Sequence, residues 1–208
     1  FAIPKPAEEI YFAGERIPLE NPDTWERYDK AILKNTYWQS NTLLLLKRSN
    51  KYFPIIEPIL KKHNIPNDFK YLALIESGLE NVTSPSKAKG IWQIMKGTAK
   101  EFELVVNNEV DERYNLEKST ELACEFLSSA KEKFGTWTLA AASYNMGRTG
   151  LQKQINRQDQ QAYFDLLGIP YTSCSHLAAT LTFNKFVCNQ YLKTFGIPVA
   201  EAVLVRKK

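Results

Sequence analysis

The carboxylate of Glu76 is the group in this 208-residue chain whose type and setting most invite chemistry. It lies in Asn67-Asp68-Phe69-Lys70-Tyr71-Leu72-Ala73-Leu74-Ile75-Glu76-Ser77-Gly78. The ends of that stretch predict a short helix: Asn67 suits the N-cap, Asp68 the positive end of the dipole, and Gly78 the stop. Phe69, Leu72 and Ala73 fall at i, i+3 and i+4, the stripe that faces a core, and Glu76 takes i+7. Burial disfavours the charged carboxylate, and the negative end of the helix pushes the same way. A carboxylic acid held protonated near neutral pH is what a general acid for glycosidic cleavage requires. The plainer alternatives are a buried ion pair with a cation such as Arg113, or a carboxylate reaching out to water from the helix end. Glu80 and Asp111 are the candidates for a second carboxylate. Glu80 reads as solvated, and Asp111-Glu112-Arg113 as a salt-bridged loop.

The elements that must position this group read as helices. Residues 1–20 are proline-rich and read as an extended arm, and residues 21–208 as a single helical domain. Asn21-Pro22-Asp23-Thr24 is a strong helix start, predicting a helix to about Arg48 with Leu43 to Leu46 buried on more than one side. Tyr52-Phe53-Pro54 restarts the chain into a short helix closed by Lys61-Lys62-His63. Asn81 to Lys89 is loop, and Gly90 to Phe102 is helical in pattern. Ser119 is expected to cap a helix with the stripe Leu122, Ala123, Phe126, Leu127, Ala130 and Phe134, and Thr136 to cap another ending near Gly147. Further helices are expected over Leu151 to Arg157 and Ser175 to Phe195, and no period-2 strand run stands out. The fold class is all-α.

Composition narrows the function classes. Hydrophobic residues at 44% and charged residues at 24% are ordinary for a globular chain with one substantial core. The net charge of +4 is spread without a basic block, so no nucleic-acid partner is expected. Cys124, Cys174, Cys188, His63 and His176 show no metal-ligand spacing, so neither a metal nor another cofactor is expected. Cys124 falls on a helical stripe as a buried thiol. No stretch approaches the roughly 20 apolar residues of a membrane span. The chain opens on Phe1 and reads as a processed piece whose signal or anchor is not part of it.

Three separated motifs complete the constellation: Glu76-Ser77, Gly90-Ile91-Trp92-Gln93, and Ser143-Tyr144-Asn145-Met146-Gly147. In order and spacing they resemble the lytic murein transglycosylases of the lysozyme-like superfamily, most closely the membrane-bound lytic transglycosylase D type. Phe12-Ala13-Gly14-Glu15, Asn35-Thr36-Tyr37-Trp38, Tyr52-Phe53-Pro54-Ile55-Ile56, Asp68-Phe69-Lys70-Tyr71-Leu72 and Val110-Asp111-Glu112-Arg113-Tyr114 extend the likeness over about residues 12 to 167. The resemblance implies a lysozyme-like catalytic domain preceded by a long helix and the extended arm. It implies cleavage of the β-1,4 bond between N-acetylmuramic acid and N-acetylglucosamine in peptidoglycan, leaving a 1,6-anhydromuramoyl end, with Glu76 as the single acid and base.

By position, the resemblance makes Ser84 the loop Ser that contacts the acid or substrate, Gln93 the Gln that orients substrate, and Tyr144 and Asn145 the Tyr-Asn pair beside the acid. From the residues alone, Ser84 could equally be a loop cap, Gln93 solvent-facing, and Tyr144 a core ring with a satisfied hydroxyl. Ser77 reads as structural. The chain departs from the family near Tyr171 to Thr182, where a Glu-Thr-x-Arg-Tyr motif is usual and Tyr171-Thr172-Ser173-Cys174-Ser175-His176-Leu177 stands instead. Either Tyr171 or His176 substitutes there, or that contribution is missing. The expected partner is the peptidoglycan glycan strand, the expected state a monomer, and the expected location periplasmic or outer-membrane-associated. Two other readings stay open: a peptidoglycan-binding or scaffolding module with weakened catalysis, and a muramidase that uses water.

Overall fold

Asn21 begins the first long helix as its side chain dictates, Oδ1 accepting the N–H groups of Asp23 at 2.9 Å and Thr24 at 3.3 Å, with Pro22 at the first helical position. This helix, α1, spans Pro22–Tyr37, and α2 spans Gln39–Lys62 in the computed structural model, which describes residues 9–167. The break therefore falls at Trp38, where ψ is 60°, and not at the expected restart near Pro54. Thr42 Oγ1 donates to the Asn35 carbonyl at 2.6 Å, supplying a carbonyl at the break with a donor. Pro54 and Pro58 lie inside α2, each removing one backbone donor. The helix persists through them because Ile56 and Leu60, one turn apart, are fully buried and hold it by packing. Of the four leucines from Leu43, only Leu45 turns inward, its side chain lying beside Gly78, while Leu43, Leu44 and Leu46 are exposed. A run of four cannot all share one face at 3.6 residues per turn.

By contact the chain divides into two units, residues 1–147 and 148–208. In the first, α3 (Lys70–Ser77) follows a 3-10 turn at Asn67–Phe69, so Asn67 is not a side-chain cap; Gly78 stops α3 in the left-handed region at φ 63°. Only Lys96–Glu101 of the expected Gly90–Phe102 helix is helical, and it forms α4. The preceding residues turn instead, with Gly90 at φ 80°, Gln93 at φ 48° and Lys89 bridged to Ile94. α5 (Leu116–Phe134) starts earlier than expected: Asn115 Oδ1 accepts the Lys118 N–H at 2.9 Å and is the cap, whereas Ser119 is buried within the helix. Its stripe of Leu122, Ala123, Phe126, Leu127 and Ala130 is buried, Phe134 packs at the edge, and α5 lies against both α2 and α6 (Trp137–Met146). Thr136 caps α6 through the Leu139 N–H at 3.2 Å.

The described secondary structure is helical apart from isolated bridges and one hairpin, β1 (Tyr11–Phe12) with β2 (Glu15–Arg16). Residues 11–16 are thus folded back on themselves rather than extended. Burial pushes the Cys124 thiol up to about 12. The second unit contains α7 (Arg148–Leu167), longer than the expected Leu151 to Arg157. The expected helix over Ser175 to Phe195, Cys174, Cys188, and the Tyr171 and His176 alternatives lie outside the described residues. No helix among the described residues is long and apolar enough to cross a membrane.

Candidate active site

Glu76 sits in the last turn of α3, on the stripe whose Phe69 and Ala73 are fully buried and whose Leu72 is partly so. The side chain is half-buried, and that burial raises its carboxyl above the ordinary range. Among the described residues no hydrogen bond or ion pair engages it. The cation suggested as its partner is committed elsewhere: Arg113 Nη2 lies 2.7 Å from Asp111 Oδ2, and its Nη1 donates to the Lys87 and Ile94 carbonyls at 3.1 and 3.2 Å. Asp111 also meets Lys89 at 3.1 Å, and Arg113 above all holds its carboxyl below the usual carboxylate range. Glu80 is not merely solvated, since Arg48 Nη1 pairs with it at 2.5 Å. Of the three carboxylates with any claim to the chemistry, Glu76 is the one that meets no cation among the described residues.

The turn from Gly90 to Ile94 holds the acid's surroundings together through its carbonyl groups. Gly90 accepts from Gln93 Nε2 at 2.8 Å, Ile91 from Ser77 Oγ at 2.7 Å, Trp92 from the Tyr144 hydroxyl at 2.7 Å, and Ile94 from Arg113. Three side chains from three other stretches of chain thus converge on one five-residue turn, joined by its own Gln93, and satisfy carbonyl groups along it. Gly90 is required here, because a Cβ at that position would lie 2.0 Å from the Arg113 carbonyl oxygen. Trp92 anchors the turn in the core, fully buried, with Nε1 donating to Thr120 Oγ1 at 2.8 Å.

Tyr144 enters this arrangement from α6, its ring against Trp92 and Phe126 at centroid distances of 6.3 and 5.4 Å. Burial first, and the negative charge of Glu76 second, raise the phenol well above its ordinary range. Tyr144 is therefore a neutral donor, near enough to Glu76 to feel its charge, with its proton given to Trp92 and not to the acid. Asn145 follows it, exposed at the end of α6. Ser84 Oγ accepts the Ala88 N–H at 3.0 Å, the geometry of a loop cap. Gln93 also donates to the Val82 carbonyl at 3.1 Å, so its amide group ties the Ser84 loop to the turn. Trp92 stood in its motif without a role and Thr120 went unnamed, since neither a main-chain carbonyl nor a buried hydroxyl leaves a sequence signal. Ser77 locks the acid's helix end to the turn.

The family model described as transglycosylase SLT domain matches residues 53–167, more than half of the chain. Membrane-bound lytic murein transglycosylase D of Escherichia coli (strain K12) is 26% identical over 194 residues, covering 89% of this chain and 42% of that protein. Short likenesses of 47 residues link the chain to D-alanine–D-alanine ligases of Phocaeicola vulgatus, at 68% identity, and Bacteroides fragilis, at 55%. These cover 23% of this chain and 14% of each ligase, a local likeness too short to carry an enzyme's activity with it. The chain spans well under half the length of these curated relatives. The family match, however, takes in Glu76, the Gly90–Ile94 turn and Tyr144 together, and the chain belongs to the transglycosylase SLT domain family.

Proposed function

We propose that this chain is a peptidoglycan lytic transglycosylase that breaks the β-1,4 bond between N-acetylmuramic acid and N-acetylglucosamine. Glu76, protonated, delivers its proton to the glycosidic oxygen as the bond to the muramoyl anomeric carbon breaks. The resulting carboxylate then takes the proton of the muramoyl C6 hydroxyl, whose oxygen closes on the anomeric carbon to give the 1,6-anhydro end. The substrate's 2-acetamido group stabilises the positive charge between the two steps. No water is consumed, and Glu76 finishes protonated.

The observation that carries this reading is that Glu76 meets no ion-pair partner among the described residues. Glycosidases that activate water or form an enzyme ester use a second carboxylate, and both candidates, Glu80 and Asp111, are held in ion pairs. Ser84, Gln93, Tyr144 and Asn145 are proposed to line the substrate cleft, and the glycan strand to be met in the periplasm or at the outer membrane by a monomer. Digestion of purified peptidoglycan in heavy-oxygen water tests the chemistry. Unlabelled anhydromuramoyl products are expected, whereas label at a reducing end would make the protein a muramidase.

A further inference from the structure

The hairpin Tyr11–Arg16 touches the start of α6 and the 3-10 turn that leads into α3, at the ends remote from Tyr144 and Glu76. Its two-residue turn, Ala13 at φ 52° and Gly14 at φ 78°, has the type I′ geometry that suits twisted strands, although an alanine there is strained. The strained residue donates its N–H to Asp68 Oδ2 at 2.7 Å, just before α3. On the other strand, Glu15 receives the N–H groups of Trp137 at 2.6 Å and Thr138 at 2.8 Å, and the Thr138 hydroxyl at 2.5 Å. Those are the first two residues of α6. Burial raises the Glu15 carboxyl, but the Thr138 and Trp137 hydrogen bonds, with Lys131 of α5 at 3.9 Å, outweigh it and leave the group below the usual range. It is a carboxylate at the positive end of a helix.

Aromatic packing runs through the same place. Phe12 meets Phe69 edge-on at 5.2 Å, and Phe69 meets Trp137 at 5.4 Å. Phe69 precedes Glu76 by seven residues and Trp137 precedes Tyr144 by seven, so each pair is separated by about two helical turns. The two helices are therefore joined twice: through Phe12, Phe69, Trp137 and Glu15 where they begin, and through the carbonyls of Ile91 and Trp92 where they end.

We propose that this hairpin is a brace that fixes α6 against α3, with Glu15 as a positioning residue that sets Tyr144 relative to Glu76. The proposal rests on the transglycosylase reading for its catalytic consequence, but its geometry can be tested without substrate. Glu15 touches no reacting atom; it acts by tying the start of α6 to the hairpin that also holds the approach to α3. Without that tie α6 can shift relative to α3 and admit water beside Glu76, which lies near enough to Tyr144 for its charge to raise the phenol.

The test compares Glu15→Ala, Glu15→Gln and Thr136→Ala, the last removing a cap whose hydrogen bond stays within α6. Carbon-detected NMR titration of the side-chain carboxyls follows Glu76, assigned by its loss in Glu76→Gln. Glu15→Ala is expected to lower the Glu76 titration midpoint toward the ordinary carboxylate value, Glu15→Gln to do so less, and Thr136→Ala to leave it in place. In peptidoglycan digests, Glu15→Ala is expected to lose turnover on the order of ten- to hundredfold with KM unchanged. An unmoved Glu76 midpoint in folded Glu15→Ala, or an equal shift in Thr136→Ala, overturns the brace. If the native protein releases nothing from peptidoglycan, the transglycosylase reading fails on its own and the titration still decides the brace.

Discussion

The Tyr144 hydroxyl lies 2.7 Å from the Trp92 carbonyl oxygen, so the tyrosine beside the acid gives its proton to the backbone and not to Glu76. The bond joins α6 to the turn that Ser77 already joins to α3. Tyr144 therefore contributes a wall and a fixed distance, and its hydroxyl oxygen keeps a lone pair for a partner. Replacing it with Phe retains the ring contacts to Trp92 and Phe126 and strands the Trp92 carbonyl. Tyr144→Phe is expected to cost about 1–3 kcal/mol of stability by denaturant unfolding, with turnover falling more than the loss of folded protein explains.

Glu76 presents the opposite balance. A carboxyl whose folded pKa is raised lends stability below its unfolded value and loses that contribution as pH rises through the folded one. Burial raises this group, so at neutral pH the native acid works against the fold. Glu76→Gln is expected to unfold at a higher denaturant concentration than the native protein at pH 7, and the gain to vanish near pH 4. The same raised value places the alkaline limb of the pH–rate profile: turnover should fall as pH rises through it, because the proton that Glu76 is proposed to give to the glycosidic oxygen is then gone.

Asp111 has the reverse sign. Its pKa is lowered, chiefly by the Arg113 guanidinium and then by Lys89, so its contribution is complete above the unfolded value near 3.8 and is lost as pH falls below it. Asp111→Asn is expected to flatten the acid side of the stability curve followed by thermal unfolding. Arg113→Ala, which leaves the Asp111 carboxylate with Lys89 as its remaining cation, should cost about 3 kcal/mol.

Two glycines separate backbone necessity from helix propensity. Gly90→Ala drives a Cβ into the Arg113 carbonyl at a backbone angle that L residues rarely adopt, and should cost about 3 kcal/mol or more by urea unfolding. Gly97, inside α4, has nothing within 4 Å of its missing Cβ. Gly97→Ala should stabilise by about 0.5–1 kcal/mol.

Much of this arrangement could be read from residue order. The stripe Phe69, Ala73, Glu76 announced a carboxylate aimed inward, and Asn21, Thr136 and Gly78 marked helix ends, because each signal is local: a cap, a left-handed stop, a 3.6-residue period. The failures are equally physical. Pro54 suggested a break that the burial of Ile56 and Leu60 overrides, and Gly90-Ile91-Trp92-Gln93 has a helical pattern but turns, because side chains from distant elements claim its carbonyls. The pairing of Glu80 with Arg48 and the capping of α6 by Glu15 join residues 32 and more than 120 positions apart, separations at which no periodicity operates.

The central claim is that one carboxylate, Glu76, carries the cleavage. It is tested most directly by digesting purified peptidoglycan with the native protein and with Glu76→Gln, resolving the products by mass spectrometry and following wall binding by sedimentation. Anhydromuropeptides released by the native protein alone, with both proteins binding the wall, are the predicted result. Equal release by Glu76→Gln would contradict the assignment, and binding without release by either protein would leave a peptidoglycan-binding module in place of an enzyme.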